Sequence, residues 1–577
     1  MPAAVHRGYV TTGARTVHLR YAGAGPAVIL LHDSPRSSRL YEALLPQLAE
    51  RFTAVALDTP GYGNSSPLCS DTALTIADFA DALAEAVRAL GLTGAPVYGF
   101  HTSSKIALEY ARRHPDLAGP VIMEGLSLPP EPPSEAFINR YMAPFVPALD
   151  GSHLAAVWTR IRDMHRFFPW FDRRAETRMA VDLPSPALLH DYSLDLFSAG
   201  AHYADAYAAA MRYQAAPALA AVQGPAVICC RPSDVLYPYL EALPEPLPAG
   251  LRVERLPDAR EAWAARLAEL FDEATRARPG PRGLPGLQES TPPPGGGPMY
   301  CALPHGQLHV HMHRSARQTE RPLLLLHELP GAASELLPLF RTLAARGRTV
   351  LLPELPGTGD SDPLPEASPT AGAFAEQLTA LLKMQAIDDC EVYAAFGSAP
   401  LALRLSVDPP ASVRALHLAG LPGLDVPPHD TPRRQARVHD SAPAIAPRSD
   451  GTHLLTLWHL LRDREIAWPW YDGSAEARRG ITPQRSAQGL QDALLALLKQ
   501  LPHWGAPVRA ALDEDAFTLL TAVGCPVHLL TREEDRRDAP ALARTPPGPH
   551  VRHHERPETT QALAELLAAP DGRSTEG

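Results

Sequence analysis

The feature that most constrains the fold of this chain is an internal repeat with a spacing of 300 residues. A motif that begins at Asp150-Gly151-Ser152-His153-Leu154 returns at Asp450-Gly451-Thr452-His453-Leu454. The Trp, Arg-Asp and Pro-Trp elements that follow it also return, at 158, 162–163 and 169–170 and then at 458, 462–463 and 469–470. Solenoid repeats span about 20–50 residues, so the repeating unit here is a whole domain.

A Pro- and Gly-rich segment separates the two copies. It includes Thr291-Pro292-Pro293-Pro294-Gly295-Gly296-Gly297, a composition that disfavours both helix and strand. We therefore predict a first domain at residues 1–276, a linker at 277–299 and a second domain at 300–577.

Short apolar strands alternate with amphipathic helices within each copy. In the first copy we predict strands at 27–31, 53–57, 96–100, 119–123 and 225–230, with helices at 76–90 and 103–113. Such alternation predicts an α/β fold with a doubly wound, mostly parallel sheet. Helical, aromatic-rich sequence interrupts the pattern at about 127–220, and at about 422–520 in the second copy. We predict an inserted helical cap at each of these places.

Composition and charge exclude several classes of partner. The net charge of −11 and the pI near 6.1 give no attraction for nucleic acid or an anionic membrane surface. No apolar run approaches the about 18 residues of a transmembrane helix, and the first residues lack the apolar core of a signal peptide. The six cysteines are scattered, which predicts neither a disulfide framework nor a zinc site. We expect a cytoplasmic protein that needs no metal or organic cofactor.

One strand-to-helix turn in each copy carries the residue that bears most on chemistry. In the first copy the apolar run Val97-Tyr98-Gly99-Phe100 leads into His101-Thr102-Ser103 and then a helix. This is the setting of a nucleophile elbow, G-x-Ser-x-G, in which a serine lies at the tip of a strained turn. His101 takes the place of the serine here, and Phe396 takes it in the second copy.

Taken together, these residues make each half resemble an α/β-hydrolase domain with a helical cap. The resemblance rests on His32-Asp33-Ser34-Pro35, Asp58-Thr59-Pro60-Gly61-Tyr62-Gly63, the turn at His101, His114-Pro115 and the strand end at Asp234. It implies an oxyanion site formed by the backbone N–H groups of Asp33 and Thr102, and it implies that Asp234 orients a catalytic histidine. The family's nucleophilic serine and late histidine are both absent, since Arg260 and Arg556 stand near the histidine's place.

An imidazole at the tip of the turn would face the pocket and act as a general base or a nucleophile. The carboxylate that orients His101 would be Asp234 or Glu124, which ends a strand. The alternative interpretation is that His101 merely fills the turn. In the second half the corresponding positions hold Phe396, Ala419 and Asp535. Because phenylalanine cannot transfer a proton, we expect the second half to be catalytically inactive.

The repeated cap residues allow two interpretations. His153, Trp158, Trp170 and His202 all have counterparts in a half that lacks the histidine of the turn. This retention favours a structural role, such as fixing the cap to the sheet or pairing the two halves within the chain. A pocket of this composition would also bind a polar aromatic ligand. These four residues and His32 are therefore the candidate substrate-binding residues.

The sequence predicts an atypical enzyme whose N-terminal half acts on a small ester-, amide- or carbonyl-type metabolite. The alternative is a pseudoenzyme that binds a metabolite or a protein partner without catalysis. The histidine and the pocket carboxylates of the first half favour the enzyme. The absence of the serine and the late histidine from both halves favours the binding protein.

Overall fold

The chain forms two compact units in the computed structural model, which describes residues 3–241, 243, 247–317, 320–407, 412–424, 430–544 and 550–568. Unit 1 consists of Met1–Val146 and Val157–Glu289, and unit 2 consists of Pro147–Ala156 and Ser290–Gly577. Residues 425–429, which belong to the second predicted cap, lie outside the described residues.

Unit 1 is built on an eight-stranded sheet. Its strands are β1 (His6–Thr12), β2 (Arg15–Ala22), β3 (Ala27–Leu31), β4 (Thr53–Leu57), β5 (Val97–Phe100), β6 (Val121–Glu124), β7 (Ala226–Cys230) and β8 (Leu251–Arg255). Their order is β1-β2-β4-β3-β5-β6-β7-β8. Strand β2 pairs antiparallel with β1 and β4, and the remaining pairs are parallel. The predicted α/β class with a doubly wound, mostly parallel sheet is confirmed.

Helices cover the sheet of unit 1, and α2 shows why the sequence forms them. The helices in this part of the chain are α1 (Leu45–Leu48), α2 (Ile76–Leu90), α3 (Thr102–Arg113), α4 (Glu135–Tyr141), α5 (Ser152–Met164), α6 (Pro186–Ala199), α7 (Asp205–Arg212), α8 (Ala215–Ala221), α9 (Tyr237–Glu241) and α10 (Arg260–Ala277). The first residues of α5, up to Ala156, belong to unit 2. Apolar residues at helical spacing bury one face of α2. A capping box at Thr75 and Asp78 begins the helix, and Gly91, at φ 69°, ends it.

Unit 2 repeats this sheet with a second set of eight strands. These are β9 (Gly297–Leu303), β10 (Gly306–His313), β11 (Leu323–Leu326), β12 (Val350–Pro353), β13 (Asp389–Ala395), β14 (Ser412–Ala419), β15 (Val527–Thr531) and β16 (Val551–Glu555). Their order, β16-β15-β14-β13-β11-β12-β10-β9, is that of unit 1 read from the other edge. Strand β10 pairs antiparallel with β9 and β12, and the other pairs are parallel.

The helices of unit 2 follow the same succession along the chain. They are α11 (Leu337–Ala345), α12 (Ala371–Met384), α13 (Ala399–Val407), α14 (Thr431–Ser441), α15 (Thr452–Ile466), α16 (Ala487–Lys499), α17 (Gly505–Asp513), α18 (Ala516–Ala522), α19 (Ala539–Arg544) and α20 (Thr560–Ala568). Helices α4–α8 lie between β6 and β7, and α14–α18 lie between β14 and β15. These are the stretches in which the sequence predicts inserted caps.

The segment predicted as a linker has ordered contacts at both of its ends. Pro281 accepts a backbone hydrogen bond from Ala27 at 2.8 Å, and Leu284 and Leu287 pack against the core of unit 1. Strand β9 already begins at Gly297. Pairing and apolar packing therefore override the Pro/Gly composition over part of this segment.

No helix in the described part of the chain is a candidate for membrane insertion. None of the helices there is both long enough and apolar enough to cross a bilayer.

Candidate active site

The turn at His101 has the strained backbone that the sequence predicts. Strand β5 ends at Phe100, helix α3 begins at Thr102, and His101 between them has φ 50° and ψ −109°. The His101 N–H donates to the Glu124 carbonyl oxygen at 2.9 Å, which ties the turn to β6. A non-glycine residue at positive φ costs about 1–3 kcal/mol, and such strain is concentrated at functional sites. The backbone therefore holds the imidazole at the carboxyl edge of the sheet, where ligands bind in α/β folds.

His101 forms a hydrogen-bonded pair with Asp234, which follows β7. The distance from His101 Nε2 to Asp234 Oδ2 is 2.7 Å, and Asp234 Oδ1 accepts the N–H of Leu236 at 2.9 Å. Because a carboxylate only accepts, the His101 Nε2 carries the proton and Nδ1 is left as an acceptor. The structure brings together these two of the three predicted catalytic side chains.

The charges around the pair shift the pKa values of both groups. Burial alone would lower the pKa of His101, but the hydrogen bond and charge of Asp234 and the charges of Asp33 and Glu124 raise it above its usual value. Burial opposes ionisation of Asp234, yet the hydrogen bond and charge of His101 lower the pKa of that carboxyl. The Asp234 carboxylate thus stabilises the protonated imidazole.

The His101 ring is held between an aromatic neighbour and a glycine. The ring centroids of Phe100 and His101 are 4.1 Å apart at an interplanar angle of 33°. On the other side lies Gly125, at φ 68°, where a Cβ atom would come within 2.3 Å of His101 Cδ2. Only glycine leaves room for the ring in the position that reaches Asp234.

Gly125→Ala is therefore expected to displace the His101 ring and to lower the pKa of His101. The pair with Asp234 would be lost while the effect of burial remains. NMR titration of the labelled histidine ring measures this change. The control is Gly13→Ala, because Gly13 also has a positive φ (58°) but a Cβ there meets no atom within 4 Å. An unchanged His101 pKa in Gly125→Ala would contradict the steric argument.

Glu124, the other residue predicted to orient His101, forms hydrogen bonds with other side chains. Its side chain is fully buried and accepts hydrogen bonds from Arg231 Nε at 2.7 Å, Tyr98 Oη at 2.8 Å and Trp263 Nε1 at 2.8 Å. Three donors thus satisfy this carboxylate within the core. Glu124 affects His101 through its charge, and Asp234 is the carboxylate that contacts the ring.

Asp33 places a carboxyl group beside His101. Its Oδ1 is buried without a hydrogen-bond partner in the described part of the chain. Burial raises the pKa of Asp33, against the charges of Arg36, His101 and His32, which lower it. The sequence assigned only the backbone N–H of Asp33 to the site, so the buried carboxyl group is a feature that it missed.

Unit 2 shows which backbone N–H groups converge at this edge of the sheet. The carboxylate of Glu328, the counterpart of Asp33, accepts from Leu329 N at 3.2 Å and from Gly397 N at 2.6 Å through the same Oε1. Gly397 corresponds to Thr102, and Leu329 corresponds to Ser34, by their positions in the two copies of the repeat. By position, the counterpart of the Leu329 N–H in unit 1 is the N–H of Ser34, which follows Asp33 in the sequence.

The turn of unit 2 differs from that of unit 1 in its backbone and its charges. Phe396 begins a 3-10 helix, Phe396–Ser398. Asp535, the counterpart of Asp234, is fully buried and binds Arg479 at 2.7 Å, Arg556 at 2.9 Å and Arg537 at 3.3 Å. Burial alone would raise the pKa of Asp535, but these arginines hold it well below its usual range. The carboxylate at this position is thus neutralised by guanidinium groups.

The arginine near the predicted histidine position also differs between the units. The N–H of Leu256 bonds Cys230 O, and the N–H of Arg556 bonds Thr531 O, both at 2.9 Å. Arg556 therefore corresponds to Leu256, whereas Arg260 is exposed at the start of α10. Unit 1 thus has no cation at this place to compete with His101 for Asp234.

Two of the predicted substrate-binding histidines are structural. His32 is fully buried, its Nδ1 contacts Asp33 O at 2.7 Å and its Nε2 accepts from Thr59 N at 3.0 Å. His153 lies in the part of the chain that belongs to unit 2, where Nε2 contacts Gln491 Oε1 at 2.8 Å and Nδ1 accepts from Ala148 N at 3.1 Å. The ring nitrogens of both histidines therefore already have hydrogen-bond partners within the protein, which favours a structural role for them.

The other predicted cap residues have contacts or burial of their own. Trp158 is buried in α5. Trp170 donates from Nε1 to Tyr141 O at 2.9 Å and packs under the guanidinium of Arg160 at 4.9 Å. His202 is half-exposed and pairs with Asp205 at 2.9 Å. The contacts of Trp170 and His202 favour the structural interpretation of these two residues.

A contact with helix α6 that the sequence did not signal fixes the loop after β3. Arg36 Nε binds Asp195 Oδ2 at 2.7 Å, and Ser37 Oγ donates to Asp195 Oδ1 at 2.6 Å. The Arg36 guanidinium also lies 5.0 Å from the ring centroid of Tyr192 on the same helix, α6. A residue pair separated by 159 positions leaves no local pattern in the sequence.

The described ranges contain no cluster of side chains that is a candidate metal site. No group of three or more His, Cys, Asp or Glu side chains there is placed to hold an ion. The chemistry available at the site is therefore that of an imidazole–carboxylate pair, a second carboxyl group and backbone N–H donors.

Comparisons with known proteins bear on the fold of unit 1. Residues 26–220 match the family model of the α/β hydrolase fold. A 2-(acetamidomethylene)succinate hydrolase from Mesorhizobium japonicum is 30% identical over 113 residues, which are 20% of this chain and 40% of the relative. A fluoroacetate dehalogenase from a Burkholderia species is 32% identical over 113 residues, or 19% of this chain and 37% of the relative. The chain thus spans less than half the length of these relatives.

Solved structures of low sequence identity also align with the chain. An epoxide hydrolase from an endophytic Streptomyces aligns over 48% of this chain and 97% of its own, at 20% identity and a TM-score of 0.39.

Proposed function

We propose that unit 1 is a hydrolase for a small ester-, amide- or carbonyl-type substrate, starting from the match of residues 26–220 to the α/β hydrolase fold and from the same strand order in unit 2. The observation that carries this proposal is the contact of 2.7 Å between His101 and Asp234 at the strained turn. Perturbed groups on strained backbone mark functional sites more often than structural ones.

In the proposed mechanism, His101 acts as the general base. Its Nε2 is bonded to Asp234, so Nδ1 takes the proton from an attacking water. Asp234 stays ionised and stabilises the imidazolium that forms. The backbone N–H groups of Ser34 and Thr102, the counterparts of the two donors that Glu328 binds in unit 2, would bind the negative charge that develops on the carbonyl oxygen.

A second candidate function, binding without turnover, is favoured by the Asp33 carboxyl group. A negative charge on Asp33, which interacts electrostatically with His101, opposes the development of negative charge on a substrate oxygen close to it. In unit 2 the corresponding Glu328 occupies these donors itself. Measured turnover is what separates the two candidate functions.

We propose that unit 2 is non-catalytic. Phe396 has no group that transfers a proton, and Asp535 is bound by three arginines. Glu328 covers the elbow N–H of Gly397 at 2.6 Å. Each of the three parts of the proposed mechanism is thus blocked in unit 2.

The test compares wild type with His101→Ala against a panel of activated esters and lactones. We expect turnover by the wild type and only background hydrolysis by the variant, because the general base is removed. The matched control is His114→Gln, since His114 pairs with Asp81 at the same 2.7 Å but at the far end of α3. Turnover retained in His101→Ala would refute the mechanism, and no turnover by the wild type on any probe would favour the binding function.

A further inference from the structure

Unit 1 contains a binding site for a carboxylate group, and the side chain of Glu124 from the same unit fills it. The side chain ends β6 opposite Phe100 of β5. The Arg231 guanidinium and the Tyr98 hydroxyl hold it at 2.7 and 2.8 Å, and Trp263 adds a third donor. An ion pair with such additional hydrogen bonds is the arrangement in which a buried carboxylate is well satisfied.

The sheet of unit 2 repeats this place without the carboxylate. Ala395 of β13 lies opposite Ala419 of β14, in the register that joins Phe100 and Glu124. Ala419 therefore takes the position of Glu124, and its side chain is only a methyl group. Tyr393 corresponds to Tyr98, because each lies two residues before the end of its strand.

The arginine of this carboxylate-binding site is also present in unit 2. Arg231 directly follows β7, and Arg532 directly follows β15. Arg532 Nε and Nη2 donate only to the backbone carbonyls of Arg556, at 3.2 Å, and Pro557, at 3.1 Å. No carboxylate lies within 4.0 Å of this guanidinium among the residues that the structure describes, so its charge has no counterion there. A partly buried arginine normally has an anionic partner.

These residues border a cavity of suitable size. It has a volume of about 610 Å³ and is lined by Tyr393, Ala419 and Arg532 together with Phe396 and Arg537. Ligand pockets of small molecules fall in the range of about 300–1,000 Å³. Glu328 occupies the N–H groups of the turn and pairs with Arg537 at 3.3 Å. An anion that enters this cavity therefore meets Arg532 as its uncompensated cation.

We propose that unit 2 binds a small organic carboxylate. Its carboxylate group lies between the Arg532 guanidinium and the Tyr393 hydroxyl, as the Glu124 carboxylate lies between Arg231 and Tyr98. The rest of the ligand packs in the cavity against Phe396. Binding at this site does not depend on catalysis in unit 1, so the two proposals can be tested separately.

The test is isothermal titration calorimetry of the full-length chain with sodium benzoate, and with benzamide as the neutral isostere. We expect benzoate to bind and benzamide not to bind, because the charge-assisted contact with the Arg532 guanidinium needs a carboxylate. The same benzoate affinity is expected in His101→Ala, which excludes the site of unit 1. Failure of benzoate to bind at about 10 mM, an affinity weaker than about −3 kcal/mol, would refute the proposal.

Two variants locate the site. Arg532→Gln is expected to weaken benzoate binding at least about tenfold through loss of the charged hydrogen bonds. Ala419→Glu supplies the missing acid from within the chain and is expected to abolish binding, while the fold accepts it because unit 1 carries glutamate at this position. Arg536→Gln is the control, since Arg536 is exposed in the same loop. Benzoate binding unchanged in both test variants would place the ligand elsewhere and overturn the assignment.

The chemical class is tested separately with inorganic phosphate. We expect phosphate to bind more weakly than benzoate, because the template in unit 1 receives a planar carboxylate from two sides. Phosphate binding that exceeds benzoate binding and is lost in Arg532→Gln would contradict the carboxylate class.

Discussion

Asp234→Asn is expected to lower kcat/KM of unit 1 by about 10²- to 10⁴-fold. The amide removes the negative charge that stabilises the imidazolium, and its NH₂ group can turn toward His101 Nε2 and reverse the tautomer. His101 Nδ1 would then carry the proton and would no longer accept one from water. The measurement is kcat/KM on the best ester or lactone substrate at a pH above the His101 pKa.

The pH dependence of the same variant gives a second, independent readout. A general base must be deprotonated, so the wild-type rate rises with pH through the pKa of His101. Burial lowers this pKa, and the hydrogen bond and charge of Asp234 outweigh it, so the acid limb is expected above about pH 6.5. In Asp234→Asn the raising contribution of Asp234 is lost and the limb moves to lower pH.

The control for both readouts is Asp205→Asn. Asp205 pairs with His202 at 2.9 Å on a half-exposed part of unit 1, so neither the rate nor the pH profile should change. An acid limb at the same pH in wild type and Asp234→Asn would mean that His101 is not the titrating base.

The fold was predictable because its signals are local. The strands Ala27–Leu31 and Thr53–Leu57 are continuous buried apolar runs between helices, which is typical of a parallel sheet covered on both faces. The turn at His101 was also predictable, since a strand, a tight turn and a helix follow one another within a few residues. The repeat then extended the same interpretation to the second sheet.

The partners of the site side chains were only partly predictable. Asp234 lies 133 residues from His101, and the sequence could offer Asp234 and Glu124 only as alternatives. What separates them is the presence of Arg231, Tyr98 and Trp263 around Glu124, which depends on three distant elements. The docking of Glu328 on the N–H of Gly397 likewise depends on one methylene more than Asp33 has. Side-chain length and long-range contacts leave no periodic pattern in a sequence.

The largest expected effect on stability follows from the acid position of the second unit. Asp535→Ala is expected to destabilise unit 2 by about 3–5 kcal/mol, because it leaves Arg479, Arg537 and Arg556 as buried charges without their common partner. These charges persist at any accessible pH, since a guanidinium does not deprotonate. Hydrogen exchange of peptides from β13–β16 measures the loss within unit 2.

The pH dependence of this stabilisation has a definite sign. Arg479 and its neighbours lower the pKa of Asp535 in the folded state, so the carboxylate stabilises the fold above the unfolded pKa of about 3.9. The contribution is lost as the pH falls toward the folded pKa. The difference between wild type and Asp535→Ala should therefore be constant from about pH 6 to 8 and should shrink in acid.

Asp234→Ala, the same substitution at the equivalent position of unit 1, is the matched comparison. Its charged partner is His101, which can become neutral once the carboxylate is gone, so we expect a loss of only about 1–2 kcal/mol. Equal losses in the two units would contradict the assignment of Asp535 to an arginine cluster and of Asp234 to a titrating pair. Unequal losses would mean that the same acid position of the repeat serves different purposes in the two units. Asp234 supports activity in unit 1, because its partner is an imidazole, and Asp535 supports stability in unit 2, because its partners are three guanidinium groups.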